Sequence, residues 1–324
     1  MRALILADLE GVSGIDAKTP PEGYCSAYTY EAATCVSELK ACGVKEVTVC
    51  DIHNEGNLIC PETISRIGTV VFRANLVSMV SSLTDVERFD IAMLIGFHGM
   101  AGSPGVLPHT LREDFRQMIN VKPGGQEIPI GEVELYCKWL GSFGVPVVLV
   151  AGDREAAYEA NCFNPYRQAC CVKSLTQDDG YYREVAALKL ASNVRLSLGL
   201  DFTKCMSRDS NELAVTFRHH DVGRYLSSMG FATRNEQAIF RSSADFVSRL
   251  YELIGCLNRI NKEIYKANIE FVNEMRRLAK HVSKEAMTTS EAGRLLTSNL
   301  MDLDYKSRAE VLKTMRRLAG LLVM

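Results

Sequence analysis

No apolar run in the 324-residue sequence approaches the roughly 18 residues needed to cross a bilayer, so no membrane-spanning helix is expected. The first apolar run, Ala3 to Ala7, is too short for the core of a signal peptide. Charge of one sign is also missing. The 37 basic and 39 acidic residues are interspersed and leave a net charge of −2, which argues against a nucleic-acid surface or a polybasic membrane patch. Paired cysteine spacing is absent: the eleven cysteines are scattered, odd in number, and include the adjacent Cys170 and Cys171. That usage predicts reduced thiols, mostly small core residues, and a cytoplasmic protein. Histidine is scarce, with six in the chain, so where each one falls carries information.

What is present begins with ALILADLEGVSG. Ala3 to Ala7 reads as a strand buried on both faces, and it closes on Asp8 and Glu10. Residues i and i+2 of an extended segment face the same side, so the two carboxylates should project together. Two acids that close repel unless a cation or a shared proton compensates them. Further apolar runs end comparably: Glu46 to His53, Thr69 to Phe72, Asp90 to His98, and Val145 to Val150 followed by Ala151-Gly152-Asp153. Helical stretches separate them. The alternation predicts an α/β fold with a mainly parallel sheet and helices on both faces. The strands of such a sheet end on one edge, where ligand crevices form. Asp8, Glu10, His53 and His98 are expected to converge there. His109 follows His98 in GFHGMAGSPGVLPHT, whose glycines and prolines force a loop able to curl back over that edge. A histidine in an apolar segment is more often a core residue than a ligand, but two of them beside a D-x-E pair at successive strand ends favour a metal site.

Glu132 is a candidate third carboxylate, in the first turn of a helix expected over 131–140; on sequence alone, favourable interaction of an acid with the helix N-terminus is the stronger explanation. Glu134 competes for the same role. Beyond it, a helix over 182–200 and strands at 212–218 and 236–241 predict a smaller second α/β portion. His219 and His220 are adjacent on a strand and read as surface or interface residues. From about Ser242 the chain reads as helical. Ile260, Ile264, Ala267, Phe271, Met275 and Leu278 form an apolar stripe, Thr288 and Glu291 a possible capping box, and Tyr305 to Leu322 a last helix. A boundary near 258 is expected, with residues 259–324 as a helical C-terminal extension and a sub-boundary near 155–205 within 1–258.

The motifs DLEGVSG, DIHN, GFHGMAGSPGVLPHT and GEVELY occur in the order and spacing of the bacterial D-aminopeptidase family of dinuclear zinc peptidases, and the chain resembles that family through about Asn258. The resemblance implies two zinc ions per chain bridged by Asp8, one completed by Glu10 and His98 and the other by His53 and Glu132, with His109 as the catalytic histidine. It also implies a homo-oligomer, with a ring assembly among the family's forms. Ile52 and Glu134 depart from the family pattern beside the ligands.

Carboxylate and imidazole donors suit zinc, and also manganese or cobalt. Water held between two such metals is deprotonated near neutral pH and attacks the carbonyl. The expected activity is a metal-dependent aminopeptidase acting on short peptides or aminoacyl amides from the free amino end, D-residues included, with His109 as acid/base or oxyanion stabiliser. Two other readings stay open: a non-catalytic oligomeric metal-containing binding protein, and a dinuclear amidohydrolase for a non-peptide amide. A phosphoesterase is disfavoured, because no arginine cluster or glycine-rich phosphate cradle accompanies the motifs.

Overall fold

The computed structural model describes residues 1–15, 18–53, 56, 58–67, 70–73, 86, 88–112, 114–173, 182–208, 212–219, 221–235 and 237–260. From residue 261 the expected C-terminal extension lies outside the described residues, and so do His220, His281 and Thr69, the first residue of an expected strand. The chain divides into two compact units, Met1–Val215 with Phe240–Arg249, and Thr216–Ile239 with Leu250–Met324.

The first unit is built on six parallel strands: β1 (Arg2–Ala7), β2 (Glu46–Asp51), β3 (Val70–Arg73), β4 (Ile91–Phe97), β7 (Val147–Asp153) and β8 (Gln168–Lys173). Their order is β3-β2-β1-β4-β7-β8. Ala3 pairs with Val47 on one side and Ile91 on the other, in register and parallel. The apolar runs are buried on both sheet faces. Ala3, Ile5 and Ala7 of β1 and Ile91, Met93 and Ile95 of β4 join one core cluster, while the alternate Leu4, Leu6, Ala92 and Leu94 are fully buried on the other side. Each buried leucine or isoleucine contributes roughly 1.5–3 kcal/mol.

Helices α1 (Pro21–Ala41) and α5 (Tyr182–Ser197) pack on the first face through Tyr28, Ala32, Val36, Leu39, Leu190 and Val194. A short α2 (Pro61–Ser65) precedes β3, and both it and α1 start with proline at the first turn, where no N–H is needed. On the other face lie α3 (Glu132–Ser142), against β4 and β7, and α4 (Arg154–Phe163), against β7 and β8. Trp139 is fully buried there, edge-on to Tyr136 and Phe143, and Tyr136 is edge-on to Phe97. A second sheet contains β5 (Phe115–Val121), antiparallel to β6 (Glu127–Ile130), with Asn120 opposite Ile128. The expected strands at 212–218 and 236–241 are present as β9 (Glu212–Phe217) and β11 (Gln237–Phe240).

The second unit holds α6 (Asp221–Ser228) and the β10 (Thr233–Arg234)–β11 hairpin, which turns at Asn235 with φ 47°. Residues 243–260 are helical. No helix among the described residues is long and apolar enough to cross a membrane.

Candidate metal centre

The strand order reverses between β1 and β4: the chain continues from β1 to β2 on one side and from β4 to β7 on the other. The carboxyl ends of two such strands diverge into a crevice, the usual ligand position of an open parallel sheet. Asp8 and Glu10 follow β1, His98 follows β4 and His53 follows β2.

The strand stops at Ala7, so the pleat does not bring the two acids together. A turn does. Asp8 N–H still donates to the Ile95 carbonyl at 2.9 Å, and Gly11 N–H then reaches the Gly96 carbonyl at 2.8 Å. This fold-back requires Gly96, whose φ of 70° favours glycine and where a Cβ would sit 1.9 Å from the Asp8 carbonyl oxygen. The Lys173 ammonium, at the end of β8, donates to the Glu10 carbonyl at 2.5 Å.

His53 is set by Asp51, which the sequence reading passed over. The buried Asp51 carboxylate accepts the backbone N–H groups of His53 (3.2 Å), Leu58 and Ile59 (both 3.1 Å), with the Tyr28 hydroxyl at 3.0 Å. A carboxylate closing the apolar run Val47–Cys50 was the available signal. His53 Nδ1 lies 3.0 Å from Glu10 Oε2 and 3.6 Å from Asp8 Oδ1.

His98 is 2% exposed, and its Nε2 lies 3.4 Å from Asp8 Oδ2 and 3.3 Å from Glu132 Oε1. Its Nδ1 sits 3.0 Å from the Gly99 carbonyl. A carbonyl can only accept, so Nδ1 carries the proton and Nε2 is the nitrogen offered to the crevice. His109 is held alike: Nδ1 faces the Leu107 carbonyl at 3.0 Å and Nε2 lies 3.8 Å from Glu10 Oε1. The expected loop does curl back, for His109 N–H donates to the Gly99 carbonyl at 3.2 Å and its ring stacks on His98 with centroids 4.1 Å apart.

Glu132 opens α3 and is buried. Its Oε1 accepts Leu111 N–H at 2.7 Å, from a residue with φ 60°. Glu134 turns elsewhere, to Lys138 at 3.5 Å and Arg167 at 3.8 Å. The nearest contacts bring His53 to Glu10 and His98 to Glu132, with Asp8 touching both histidines. Donor atoms of Asp8, Glu10 and His98 also lie within 4.8 Å of one another, as do those of His98, His109 and Glu132.

Electrostatics show what the cluster lacks. Burial and then the neighbouring Glu10 push the Asp8 carboxyl up to about 6. Burial would raise Glu10 too, but the His53 hydrogen bond and the imidazolium charges bring it down to about 2. Burial opposes the charge on His53 and His98, yet the facing carboxylates hold both up at about 10. Without a metal, protons on the imidazoles are the compensating charge. Asp8 Oδ2 is buried and accepts no hydrogen bond, with His98 Nε2 3.4 Å away. That donor set, oxygen and imidazole nitrogen without thiolate, fits zinc or a similar divalent ion.

A parallel sheet with carboxylates and histidines at its switch point defines an α/β protein with a candidate metal-binding site. This chain belongs to the D-aminopeptidase family of peptidases, whose sequence profile matches residues 1–256. The D-aminopeptidase of Bacillus subtilis strain 168 is 31% identical over 182 residues, which cover 53% of this chain and 64% of that protein, less than two thirds of its length. A solved structure of the Zn-dependent D-aminopeptidase DppA from Bacillus subtilis, described as a self-compartmentalizing protease, shares the fold: TM-score 0.69, 23% identity, 80% of this chain and 98% of that one.

Proposed function

We propose that this chain is a metal-dependent aminopeptidase that hydrolyses short peptides or aminoacyl amides from the free amino end, with D-residues among its substrates. The observation that carries the proposal is the buried Asp8 carboxylate, whose two oxygens face His53 Nδ1 and His98 Nε2, the latter turned inward by the Gly99 carbonyl. Family membership and the fold shared with a zinc-dependent peptidase support it.

Asp8, Glu10, His53, His98 and Glu132 would hold two divalent ions, zinc first and manganese or cobalt as substitutes, with Asp8 serving both. Three carboxylates against neutral imidazoles carry −3, so one divalent ion leaves a charge of −1 and two leave +1. When bound, such ions supply Lewis acidity toward a peptide carbonyl and acidify water. The chain's own residues do the rest. The Leu111 N–H fixes the Glu132 carboxylate, Asp51 fixes the His53 loop, and the Leu107 carbonyl keeps the His109 proton on Nδ1. His109, with its side chain 27% exposed, is the member of the cluster most open to a substrate. Protonated at Nε2, it can donate to the developing oxyanion or to the leaving amine. Its closeness to His98 and Glu132 favours a second reading of this one residue, as a metal ligand.

The cytoplasm is the proposed compartment, supported by eleven free thiols, five of them buried with Cys256 as a sixth. A homo-oligomer is proposed from the relation to a self-compartmentalizing protease. Elemental analysis of the purified full chain, followed by hydrolysis assays on paired D- and L-aminoacyl amides and dipeptides, tests the reading. Two metals per chain and release of the amino-terminal residue are expected. Protein that takes up no metal from added zinc would overturn it; metal uptake with no cleavage of any amide would favour the binding-protein alternative.

A further inference from the structure

Residues 99–110 leave the end of β4 and return beside it. The segment holds Gly99, Gly102, Pro104, Gly105 and Pro108, and neither proline has an N–H to give. Ser103 N–H donates to the Met100 carbonyl at 3.0 Å and closes one turn. A backbone bond and a side-chain bond join the outgoing leg to the returning one. His109 N–H donates to the Gly99 carbonyl at 3.2 Å. Ala101 N–H donates to Thr110 Oγ1 at 3.1 Å. The first can form with any residue at 109 except proline. The second needs a hydroxyl at 110. Thr110 is 1% exposed, so its hydroxyl is shielded from competing water.

The outgoing leg is fixed at its root. Gly99 N–H donates to Asp153 Oδ2 at 3.1 Å, and Asp153 in turn caps α4 through Ala156 N–H at 2.8 Å. The returning leg has its own tie beyond Thr110, where Leu111 N–H reaches Glu132 Oε1 at 2.7 Å. The His109 imidazole depends on the part between. Its Nδ1 lies 3.0 Å from the carbonyl of Leu107, a residue of the loop itself. The ring is therefore oriented by the shape of the loop that carries it. Its stack on His98, with planes 8° apart, and the 3.8 Å from Nε2 to Glu10 Oε1 go with that shape. Opening the Thr110–Ala101 bond would leave the His109–Gly99 bond alone to close the base of the loop, and the Leu107 carbonyl and the ring would shift together.

We propose that Thr110 is the positioning residue of His109: its buried hydroxyl closes the loop in the shape that presents His109 Nε2 to the crevice. The proposal rests on the reading of His109 as the acid/base or oxyanion group. It goes beyond that reading, because it makes a hydroxyl bound to Ala101 set the rate through the neighbouring imidazole. The five proposed ligands should be indifferent to it. Leu111 N–H holds Glu132 whichever side chain stands at 110, and Asp8, Glu10, His53 and His98 precede the loop.

The test uses the zinc-loaded full chain, with the p-nitroanilides and the dipeptides of D- and L-alanine as probes, beside amide hydrogen exchange of the 99–110 segment. Thr110→Val keeps the side-chain shape and removes the acceptor. It should keep its metal content, exchange faster over 99–110 and lose about 10–10²-fold in kcat with little change in KM, the cost of a displaced catalytic group. Thr110→Ser restores the hydroxyl and should return exchange and kcat to wild type. In the His109→Ala background Thr110→Val should cost nothing further, because the ring it acts through is gone. Where Thr110→Val fails to fold, Thr110→Ala removes the same acceptor and carries the same expectations. Unchanged kcat and exchange, a rise in KM alone, a loss of metal, or a kcat loss that serine does not rescue or that persists without His109 each overturns the positioning role and leaves the aminopeptidase reading standing. Wild type that cleaves none of the probes, or a His109→Ala chain as fast as wild type, overturns the reading beneath it and the proposal with it.

Discussion

Glu132 and Glu134 stand two residues apart in the first turn of α3, and both are buried, yet their surroundings differ in kind. Around Glu134 the protein supplies its own cations. Arg167, with a fully buried side chain, lies 3.8 Å away, and its guanidinium also meets Cys137 Sγ and, at 2.6 Å, Ser207 Oγ. Lys138 adds a second positive charge one turn along the helix. Glu132 instead meets a histidine and a backbone N–H, and shares that histidine with Asp8. The first arrangement carries its compensating charges as folded, although Glu134 Oε2 accepts no hydrogen bond. The second offers its carboxylates only imidazoles and a backbone N–H, so protons or an added cation must complete the compensation. Burying a carboxylate is costly in either place; the permanent partner marks structure, and the missing one marks a binding site.

The comparison breaks most completely at Asp8. Asp8→Ala should release both metals and abolish peptide hydrolysis, read by elemental analysis beside the assay; retention of one full equivalent would show that Asp8 does not serve both ions. His109→Ala should keep both metals and lose about 10²–10⁴ in kcat with little change in KM. Loss of a metal instead would make His109 a ligand. Arg167→Ala strikes the other side and should cost about 3–5 kcal/mol in unfolding free energy, since Glu134 is left buried against Lys138 alone. Its metal content should not move, which equilibrium denaturation and metal analysis together can check.

A smaller effect should appear with pH. His53 and His98 have folded-state values raised from 6.5 to about 10, so their protonation stabilises the metal-free fold fully below 6.5 and is lost as pH rises through 10. Metal-stripped protein should therefore lose several degrees of Tm between pH 7 and 10, whereas metal-loaded protein should change less, because its imidazoles carry metal in place of those protons. Parallel melting curves for the two forms would remove the distinction. The smallest change expected is at Leu111, where φ is 60°. Leu111→Gly keeps the N–H that reaches Glu132 and relieves the strained backbone while loosening the unfolded chain, so stability should shift by less than about 1 kcal/mol and metal content not at all. Metal loss in that variant would assign the leucine side chain a role that the hydrogen bond does not explain.

Much of this was legible in the sequence for one physical reason. Strands buried on both faces are nearly pure apolar runs, so Asp8, His53 and His98 at their ends stand out. The glycine- and proline-rich loop announced that His109 was free to return. Less legible was β8, because Gln168–Lys173 mixes polar, cysteine and apolar residues and lacks the continuous signal. The coupling of His53 to Glu10 was not legible either, since it depends on the turn after Ala7 and not on strand pleat. Asp51 was hidden more deeply: beside the Tyr28 hydroxyl, its partners are three backbone N–H groups, which carry no residue identity.

The five proposed ligands lie on chain segments from residue 8 to residue 132, carried by β1, β2, β4 and α3. No early hairpin or single βα unit contains a complete set. Refolding must close those long loops first, and pairing parallel strands distant in sequence is intrinsically slow. Metal ions present during refolding should therefore leave the rate of collapse unchanged and act after the last strand has docked, slowing unfolding by binding only the finished state.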